Sequence, residues 1–517
     1  MKKLMLCLMI CGMWASGARG IEISLKPLGT YSTGIFDDGA AQILDYHPVF
    51  KWLVITNAAD EAIDVVKVHP AAKPELLFKI GLPGKPLSVA AHPRYGMVAV
   101  SVEAGDATEP GTVEFYRMTG QHLGSVQVGA LPDMIVWTPD GRKLLVANEG
   151  EPNDDYTVDP PGSVSIITLG TGPALARVVA DAAVETVGFD SVAVDPGVRI
   201  FGPGATATED LEPEYIAVSE DSKTAWVTLQ ENNAIAKLDI DAATFSWVRS
   251  LGYKDHSILG NGLDASNKDD AIAITTWPVR GMYLPDAIAA FTIDGQQYLI
   301  TANEGDSRDY DGFSEEERVK DLDLDPDAFA AWPDLADNGN LGRLKVTNTM
   351  GDLDDDGDYD ELYCFGGRSF TIWTGDGVLV SDSGDQLEQI MAAKFPAYFN
   401  STDDESAFDN RSDDKGPEPE HVTVADIGGS TVAFIGLERI GGIMVYDVSD
   451  PTGPRFLDYF NNRNFEADPE TAQAGDLSTE GLLLIPADNS PTHTPLLVAA
   501  NEISGSTTIF EVQVRLP

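Results

Sequence analysis

Short hydrophobic runs recur along the chain, and each ends on a glutamate that follows small or polar residues. Six such runs occupy residues 98–103, 144–149, 225–231, 298–304, 432–438 and 496–502. A seventh run, at residues 52–57, reaches the asparagine but continues with alanine. Short β-branched and aliphatic runs that are bounded by turn residues predict β-strands. The recurrence therefore predicts a fold built from one repeated strand motif.

Each of these runs has a second strand pattern before it and an alternating pattern after it. One unit is therefore a strand with a polar or acidic start, a turn, the glutamate-ending strand, a loop and a further strand. About seven such units with few helical periods predict an all-β fold, a roughly seven-bladed β-propeller with long acidic loop insertions. An array of β-sandwiches is the alternative, but it gives no reason for the same acidic position to recur.

The first twenty residues have the pattern of a secretory signal peptide, with two lysines, an apolar stretch and small residues at the end. Isoleucine before Cys11 disfavours lipoprotein processing, so we expect a secreted or periplasmic protein. No later stretch approaches the length of a transmembrane helix. The remaining residues, 21–517, are predicted to form a single propeller domain, with insertions at about 151–161, 181–212, 305–360 and 381–418.

The strongly negative net charge of the chain limits the classes of partner that we expect. The chain has 83 acidic and 34 basic residues, a formal net charge of −49. Such a surface repels nucleic acid and anionic membranes, so we expect no nucleic-acid partner. It suits an exported protein that stays soluble at high salt, and it favours cations. Only Cys364 remains once the signal peptide is removed, so no internal disulfide is expected.

The recurring acidic positions predict a ring at one face of the central channel, because equivalent strand ends of all blades meet there. The ring consists of Glu103, Glu149, Glu231, Glu304, Glu438 and Glu502. A second acidic set precedes these strands and comprises Asp133, Glu214, Asp286, Glu420 and Glu480. Carboxylates that lie so near to one another raise one another's pKa unless a cation fills the space between them. Either a metal or ligand binds there, or the glutamates splay into solvent.

A calcium-type loop lies inside the longest insertion. Carboxylates alternate before and after Gly357, at Asp352, Asp354, Asp356, Asp358 and Asp360. Alternate carboxylates followed by a glycine wrap oxygens around a hard cation. Tyr363 stands where a full EF-hand has glutamate, so the loop would need a later carboxylate. The expected cofactor is calcium, with another divalent metal as the alternative, and a solvated acidic turn is the reading without a metal.

Several longer motifs stand out at residues 147–150, 302–308, 351–363, 365–370, 411–420 and 436–447. Together they resemble the choice-of-anchor I family, which includes proteins labelled mesenchyme-specific cell-surface glycoprotein and bacterial proteins labelled alkaline phosphatase. The resemblance runs from about residue 27 to the end, and it implies an exported or surface-attached propeller related to YVTN and WD40-like repeats. No anchor segment follows the last strand, which favours a secreted or periplasmic form. His421 departs from the glycine expected in the family.

Two functions remain open at this point. The first is a calcium-stabilised extracellular binding or scaffold protein, expected to be a monomer, whose partner is an extracellular protein or a glycan. The second is a metal-dependent phosphoesterase of alkaline phosphatase-like or phytase-like type, acting on a phosphate ester. Its catalytic candidates are Arg308, Arg368, Arg439 and His421, with Lys415 as a further cation. No Gly-x-Ser-x-Gly or His-Glu-x-x-His motif occurs, so the binding protein is preferred.

Overall fold

The computed structural model describes residues 20–516, so the predicted signal peptide lies outside the described residues except for Gly20. Seven four-stranded antiparallel sheets account for most of the described chain. The first strand of each sheet contacts the first strand of the next, and the first strand of the seventh sheet returns to that of the first. This closed ring confirms the predicted seven-bladed β-propeller.

The blades follow the chain in order. Blade 1 contains the strands Leu44–His47, Trp52–Asn57, Ala62–Lys67 and Glu75–Gly81; blade 2 contains Pro86–Ala91, Met97–Val102, Pro110–Arg117 and His122–Ala130. Blade 3 contains Ile135–Trp137, Lys143–Asn148, Ser163–Thr168 and Ala183–Val187; blade 4 contains Pro213–Val218, Thr224–Leu229, Ala234–Asp239 and Thr244–Ser250. Blade 5 contains Ile288–Ile293, Gln296–Asn303, Ser369–Thr374 and Leu379–Asp382; blade 6 contains Pro419–Ile427, Ser430–Leu437, Ile443–Asp447 and Arg455–Phe460.

Blade 7 closes the ring with both ends of the described chain. It contains Thr479–Ile485, Leu496–Asn501, Ser506–Arg515 and, as its outer strand, Glu22–Ser32. The N-terminal strand pairs antiparallel with the last strand from Glu22–Arg515 to Ser32–Ser506. Because the N-terminal strand completes the last blade, the two ends of the described chain pair with each other. This pairing closes the ring of blades.

The repeat motif forms the first two strands of each blade. The glutamate-ending run is the second strand, and the strand before it is the first and innermost. Their side chains are buried on both faces because neighbouring blades pack on either side; the second strands of blades 2, 3 and 7 are buried throughout or nearly so. This double burial explains why the runs are continuously hydrophobic rather than alternating.

The long insertion divides blade 5 between its second and third strands and builds a sheet of its own. That sheet has five strands in the order Tyr253–Asp255, Arg280–Met282, Tyr363–Cys364, Lys345–Thr347 and Glu316–Arg318. A separate hairpin pairs Asp309–Tyr310 with Phe313–Ser314. The insertion sheet thus combines the chain before blade 5 with the insertion inside it, and it packs around its own hydrophobic cluster.

Helices are short and lie between blades or in loops. They span Leu175–Ala180, Ala207–Asp210 and Gln386–Lys394, with single 3₁₀ turns at Val319–Asp321 and Ala472–Ala474. The predicted insertion at 181–212 begins too early, because Ala183–Val187 is the outer strand of blade 3. Four of its five side chains are exposed. An edge strand of this kind carries little hydrophobic signal in the sequence.

Candidate functional site

A cavity of about 410 Å³ opens at the end of the channel where the first strand of each blade begins. Eleven carboxylates line it: Asp133, Glu149, Glu151, Glu214, Asp286, Glu304, Asp306, Glu420, Glu438, Glu480 and Glu502. Among the described residues of the lining, only Lys85 and Arg439 carry positive charge. We call this space the channel cavity. Its excess of negative charge would attract cations.

The two predicted acidic sets reach this cavity to different extents. All five members of the second set line it, whereas Glu103 and Glu231 of the predicted ring are not among its lining residues. Strand order does not explain this difference, because Glu149, Glu304, Glu438 and Glu502 also follow second strands and line the cavity. Glu103 instead lies 3.8 Å from Lys85, and the main-chain carbonyl of Glu231 accepts a hydrogen bond from Arg199.

Two further carboxylates of the lining were not predicted. Glu151 and Asp306 each stand two residues after a repeat glutamate, Glu149 and Glu304 respectively. The hydroxyl of Tyr310, in the insertion hairpin, donates to Glu151 at 3.0 Å. The repeated Glu-Gly-acid pattern was the available sequence signal, and the hairpin reaches the rim of the cavity through this contact.

Burial and mutual repulsion raise the pKa values of most of the carboxyl groups that line the channel cavity. Desolvation is the largest cause throughout, and neighbouring carboxylates add to it. The pKa of Asp133 rises to about 7. The groups whose pKa is raised well above the ordinary range are Glu149, Glu214, Asp286, Glu420, Glu438 and Glu480. Without a cation, these raised pKa values favour protonation of the cavity carboxyl groups.

Three of the carboxylates converge closely enough to share one ion. Glu304, Glu420 and Glu438 each offer an oxygen within 4.8 Å of the other two, and all three side chains are buried. Among the described residues, Oε2 of Glu420 has no hydrogen-bond partner although it is buried. Buried polar atoms are rarely left unpaired. Carboxylate oxygens alone suit a hard cation such as Ca²⁺ or Mg²⁺.

Lys415 supplies part of the missing positive charge beside this cluster. Its ammonium lies 2.6 Å from Glu304, 3.1 Å from Asp306 and 3.4 Å from Glu418. Lys415, Arg411 and Arg439 together hold the pKa of the Glu418 carboxyl down to about 2 against its burial. Glu418 is thus fully compensated, whereas Glu420, two residues further on, has no cation in contact. The carboxylate without a cation partner, Glu420, is thus the one that lines the channel cavity.

The catalytic candidates fall into two groups. Arg308 and Arg368 are buried and do not line the cavity; Arg308 pairs with Asp210 and Glu212, and Arg368 pairs with Glu388. Arg439 and His421 do line it.

The guanidinium of Arg439 is held by three carboxylates, those of Glu418, Asp403 and Glu438, at 2.9–3.0 Å. Burial lowers the pKa of His421 to about 4, and its ring packs edge-on against Tyr215. His421 is therefore neutral near pH 7.

The predicted calcium loop forms two separate carboxylate groups. Asp352, Asp354 and Asp356 bring oxygens within 4.8 Å of one another, and Asp358 and Asp360 do so with Asp325. Asp325 comes from an earlier part of the insertion, held by the N–H of Asp325 donating to the carbonyl of Tyr359 at 3.1 Å. Sequence spacing alone did not assign Asp325. Unlike the channel cluster, both groups are half-buried or exposed.

Comparisons with known proteins identify two relatives by sequence. The chain is 31% identical to Gigasin-3a of Magallana gigas over 205 residues, which cover 35% of this chain and 68% of that protein. It is 27% identical to the mesenchyme-specific cell surface glycoprotein of Strongylocentrotus purpuratus over 297 residues, 49% of this chain but only 36% of that protein.

Among solved structures, hydrazine synthase of Kuenenia stuttgartiensis matches with a TM-score of 0.49 and 13% identity, over 93% of this chain and 99% of that one. The β-propeller domain of Cps50 (Swd1) from Myceliophteria thermophila matches at 0.45 and 7% identity, over 95% and 100% of the two chains. Within residues 20–516 no helix is long and apolar enough to cross a membrane. The choice-of-anchor I domain matches residues 42–451, most of the propeller, and the chain belongs to that family.

Proposed function

We propose that this protein is an exported β-propeller that binds calcium in its channel cavity and acts as an extracellular binding or scaffold protein. The observation that carries the proposal is the convergence of Glu304, Glu420 and Glu438, with one buried oxygen of Glu420 unpaired. A divalent cation there would bind the unpaired oxygen of Glu420. It would also offset part of the repulsion among the eleven carboxylates that line the channel cavity.

The extracellular setting rests on the family and on the sequence. Choice-of-anchor I membership and the similarity to a cell surface glycoprotein favour a secreted or surface location. The signal-peptide pattern of residues 1–20 points the same way. The loop-rich face around the channel cavity, built by the insertions, is the surface we assign to an extracellular protein or glycan partner. Calcium would hold that face in one conformation.

Counting bound ions tests the channel site. In native mass spectrometry at fixed calcium, we expect Glu420→Gln to carry one ion fewer than the wild type, because one of three converging carboxylates loses its charge. Glu405→Gln removes an exposed glutamate from the preceding loop and is the matched control. Its ion count should equal that of the wild type. An unchanged count in Glu420→Gln would remove the proposed channel site.

The phosphoesterase remains the second reading of the sequence, and the geometry gives it less support. A phosphate ester needs cations to hold its oxygens. Arg308, Arg368, Arg439 and Lys415 are each engaged by carboxylates of the protein itself. Hydrolysis of a chromogenic phosphate monoester with calcium, manganese, magnesium or zinc is the assay. Metal-dependent turnover that Glu420→Gln abolishes would replace the binding function with the enzymatic one.

A further inference from the structure

A second group of buried oxygens lies away from the channel, where the outer segments around blade 5 meet. Asp264 belongs to the segment before blade 5, Glu388 to the helix Gln386–Lys394, and Asn400 and Asp409 to the loop that follows this helix. All four side chains are at most 2% exposed. None of them lines the channel cavity. We call this group the outer oxygen cluster.

Among the described residues, Arg368 is the cation that contacts this cluster. Most of its hydrogen bonds are donated to main-chain carbonyl groups. Arg368 donates to Oε1 of Glu388 at 2.8 Å and to the main-chain carbonyl of Asp264 at 2.6 Å. Its other terminal nitrogen donates to the carbonyls of Ser412 and Asp414. The guanidinium therefore neutralises Glu388 and satisfies carbonyl groups. It makes no hydrogen bond to the carboxylates of Asp264 or Asp409.

Two oxygens of the cluster have no hydrogen-bond partner in the described chain, Oδ1 of Asn400 and Oδ2 of Asp409. The hydroxyl of Ser412 joins the two side chains, since it accepts from Nδ2 of Asn400 at 2.8 Å and donates to Oδ1 of Asp409. Nδ2 of Asn400 also donates to Glu388 at 2.9 Å. These two donated bonds fix the orientation of the Asn400 amide.

Asp264 joins the cluster through Glu388, whose Oε2 accepts the main-chain N–H of Asp264 at 3.2 Å. The carboxylate oxygens of Asp264 accept main-chain N–H groups of Ala273, at 2.6 Å, and of Ser266. Burial first, and then the charges of Asp264, Asp269 and Glu388, raise the pKa of Asp409 to about 8. The cluster thus combines two negative charges without a matching cation, an amide oxygen and deep burial. Carboxylate and amide oxygens with a net charge of −2 are what Ca²⁺ binds.

We propose that the outer oxygen cluster is a structural calcium site, with Asp264, Asn400 and Asp409 as protein ligands. The ion would neutralise the two aspartates and use the unpaired oxygens of Asn400 and Asp409. It would also join the segment before blade 5 to the loop 400–418, whose Lys415 pairs with Glu304 of the channel cavity. The site is independent of the proposed channel ion and shares no ligand with it.

Native mass spectrometry of the full protein at fixed calcium tests the site directly. We expect Asp409→Asn to carry one ion fewer than the wild type and the double variant with Glu420→Gln to carry two fewer. Asp404→Asn removes an exposed charge from the same loop and should leave the count unchanged. Equal counts in the wild type, Asp409→Asn and Asp264→Asn would overturn the proposal and assign a proton to Asp409 instead.

Limited proteolysis of the loop 400–418 locates the effect. Calcium should slow cleavage of this loop in the wild type and in Glu420→Gln, but not in Asp409→Asn or Asp264→Asn. Asparagine mimics a protonated aspartate, so Asp409→Asn should melt in EGTA at or above the temperature of the wild type. Folding of the variant is thereby checked in the same experiment. Calcium protection that persists in both aspartate variants would contradict the site.

Discussion

The channel cavity and the base of the insertion both contain buried carboxylates, but the charge of these carboxylates is compensated to different extents in the two regions. We call the insertion base the group Arg199, Asp210, Glu212, Arg308 and Glu315. There, Arg308 pairs with Asp210 and, at 2.6 Å, with Glu212, while Arg199 pairs with Glu315. These side chains are at most 4% exposed. In the channel cavity eleven carboxylates face two lining cations.

This difference distinguishes carboxylates whose charge is compensated within the protein from carboxylates whose charge is not. A buried carboxylate with a guanidinium partner is satisfied by the protein itself, and loss of the partner leaves a charge stranded. A buried carboxylate without one costs stability until something binds. The insertion base therefore fastens the hairpin and the insertion sheet to the loops after blade 3. The channel cavity keeps its negative charge available for a ligand. Substitutions in the two regions should change stability in opposite directions.

The largest expected effect is in the insertion base. Arg308→Met leaves Asp210 and Glu212 buried without their cation, which we expect to destabilise the protein by about 3–5 kcal/mol. The midpoint of urea unfolding, followed by tryptophan fluorescence, should fall accordingly.

Arg142→Met is its control, because the Arg142 side chain is 82% exposed and lies 3.5 Å from Asp140. A change within about 0.5 kcal/mol is expected for this surface site. A small effect of Arg308→Met would mean that the insertion base does not hold the insertion.

The opposite sign is expected in the channel cavity. The pKa of Asp133 is raised to about 7 in the folded protein from the ordinary value of 3.8. The folded state therefore takes up a proton that the unfolded state does not as pH falls through 7. In EGTA, wild-type stability should increase by about 1 kcal/mol on this account between pH 8 and pH 6.

Asp133→Asn should remove that part of the pH dependence and be more stable than the wild type at pH 8. Urea unfolding at the two pH values gives both quantities. Asp38→Asn, at an exposed position, should follow the wild-type pH dependence. An Asp133→Asn variant that is less stable at pH 8, or that keeps the wild-type slope, would show that this carboxyl is already compensated.

The propeller could be predicted from the sequence because its signal is local and repeated. Each blade has the same pattern of strands and turns within a short stretch of sequence. The second strands are continuously hydrophobic because they are buried on both faces. The outer strand Ala183–Val187 could not be found this way, since it is mostly exposed. The insertion sheet has strands of two or three residues that pair across long loops. Such pairing leaves almost no local pattern.

The site was predictable in part for a related reason. The recurring acidic positions lie at the end of the channel where the cavity opens, but spacing alone did not show which of these side chains line it. Glu103 and Glu231 were assigned to the ring on spacing alone, and neither lines the cavity. The roles of Arg308 and Arg368 depend on partners as distant in sequence as Asp210, 98 residues away. Ion pairs of that kind become visible only when the chain is folded.

The smallest expected effect is in the exposed loop of the insertion. Asp354 lies with Asp352 and Asp356, whose charges raise its pKa, but water surrounds the group. In EGTA, Asp354→Asn should melt within about 1–2 °C of the wild type, because loss of a hydrated charge changes little. With calcium, hydrogen exchange in residues 350–361 should slow in the wild type and slow less in Asp354→Asn.

Asp355→Asn is the matched control, since its carboxylate is outside the cluster, and it should respond like the wild type. If Asp354→Asn lowered the melting temperature in EGTA as much as Arg308→Met does, depth of burial would not be what separates this loop from the insertion base.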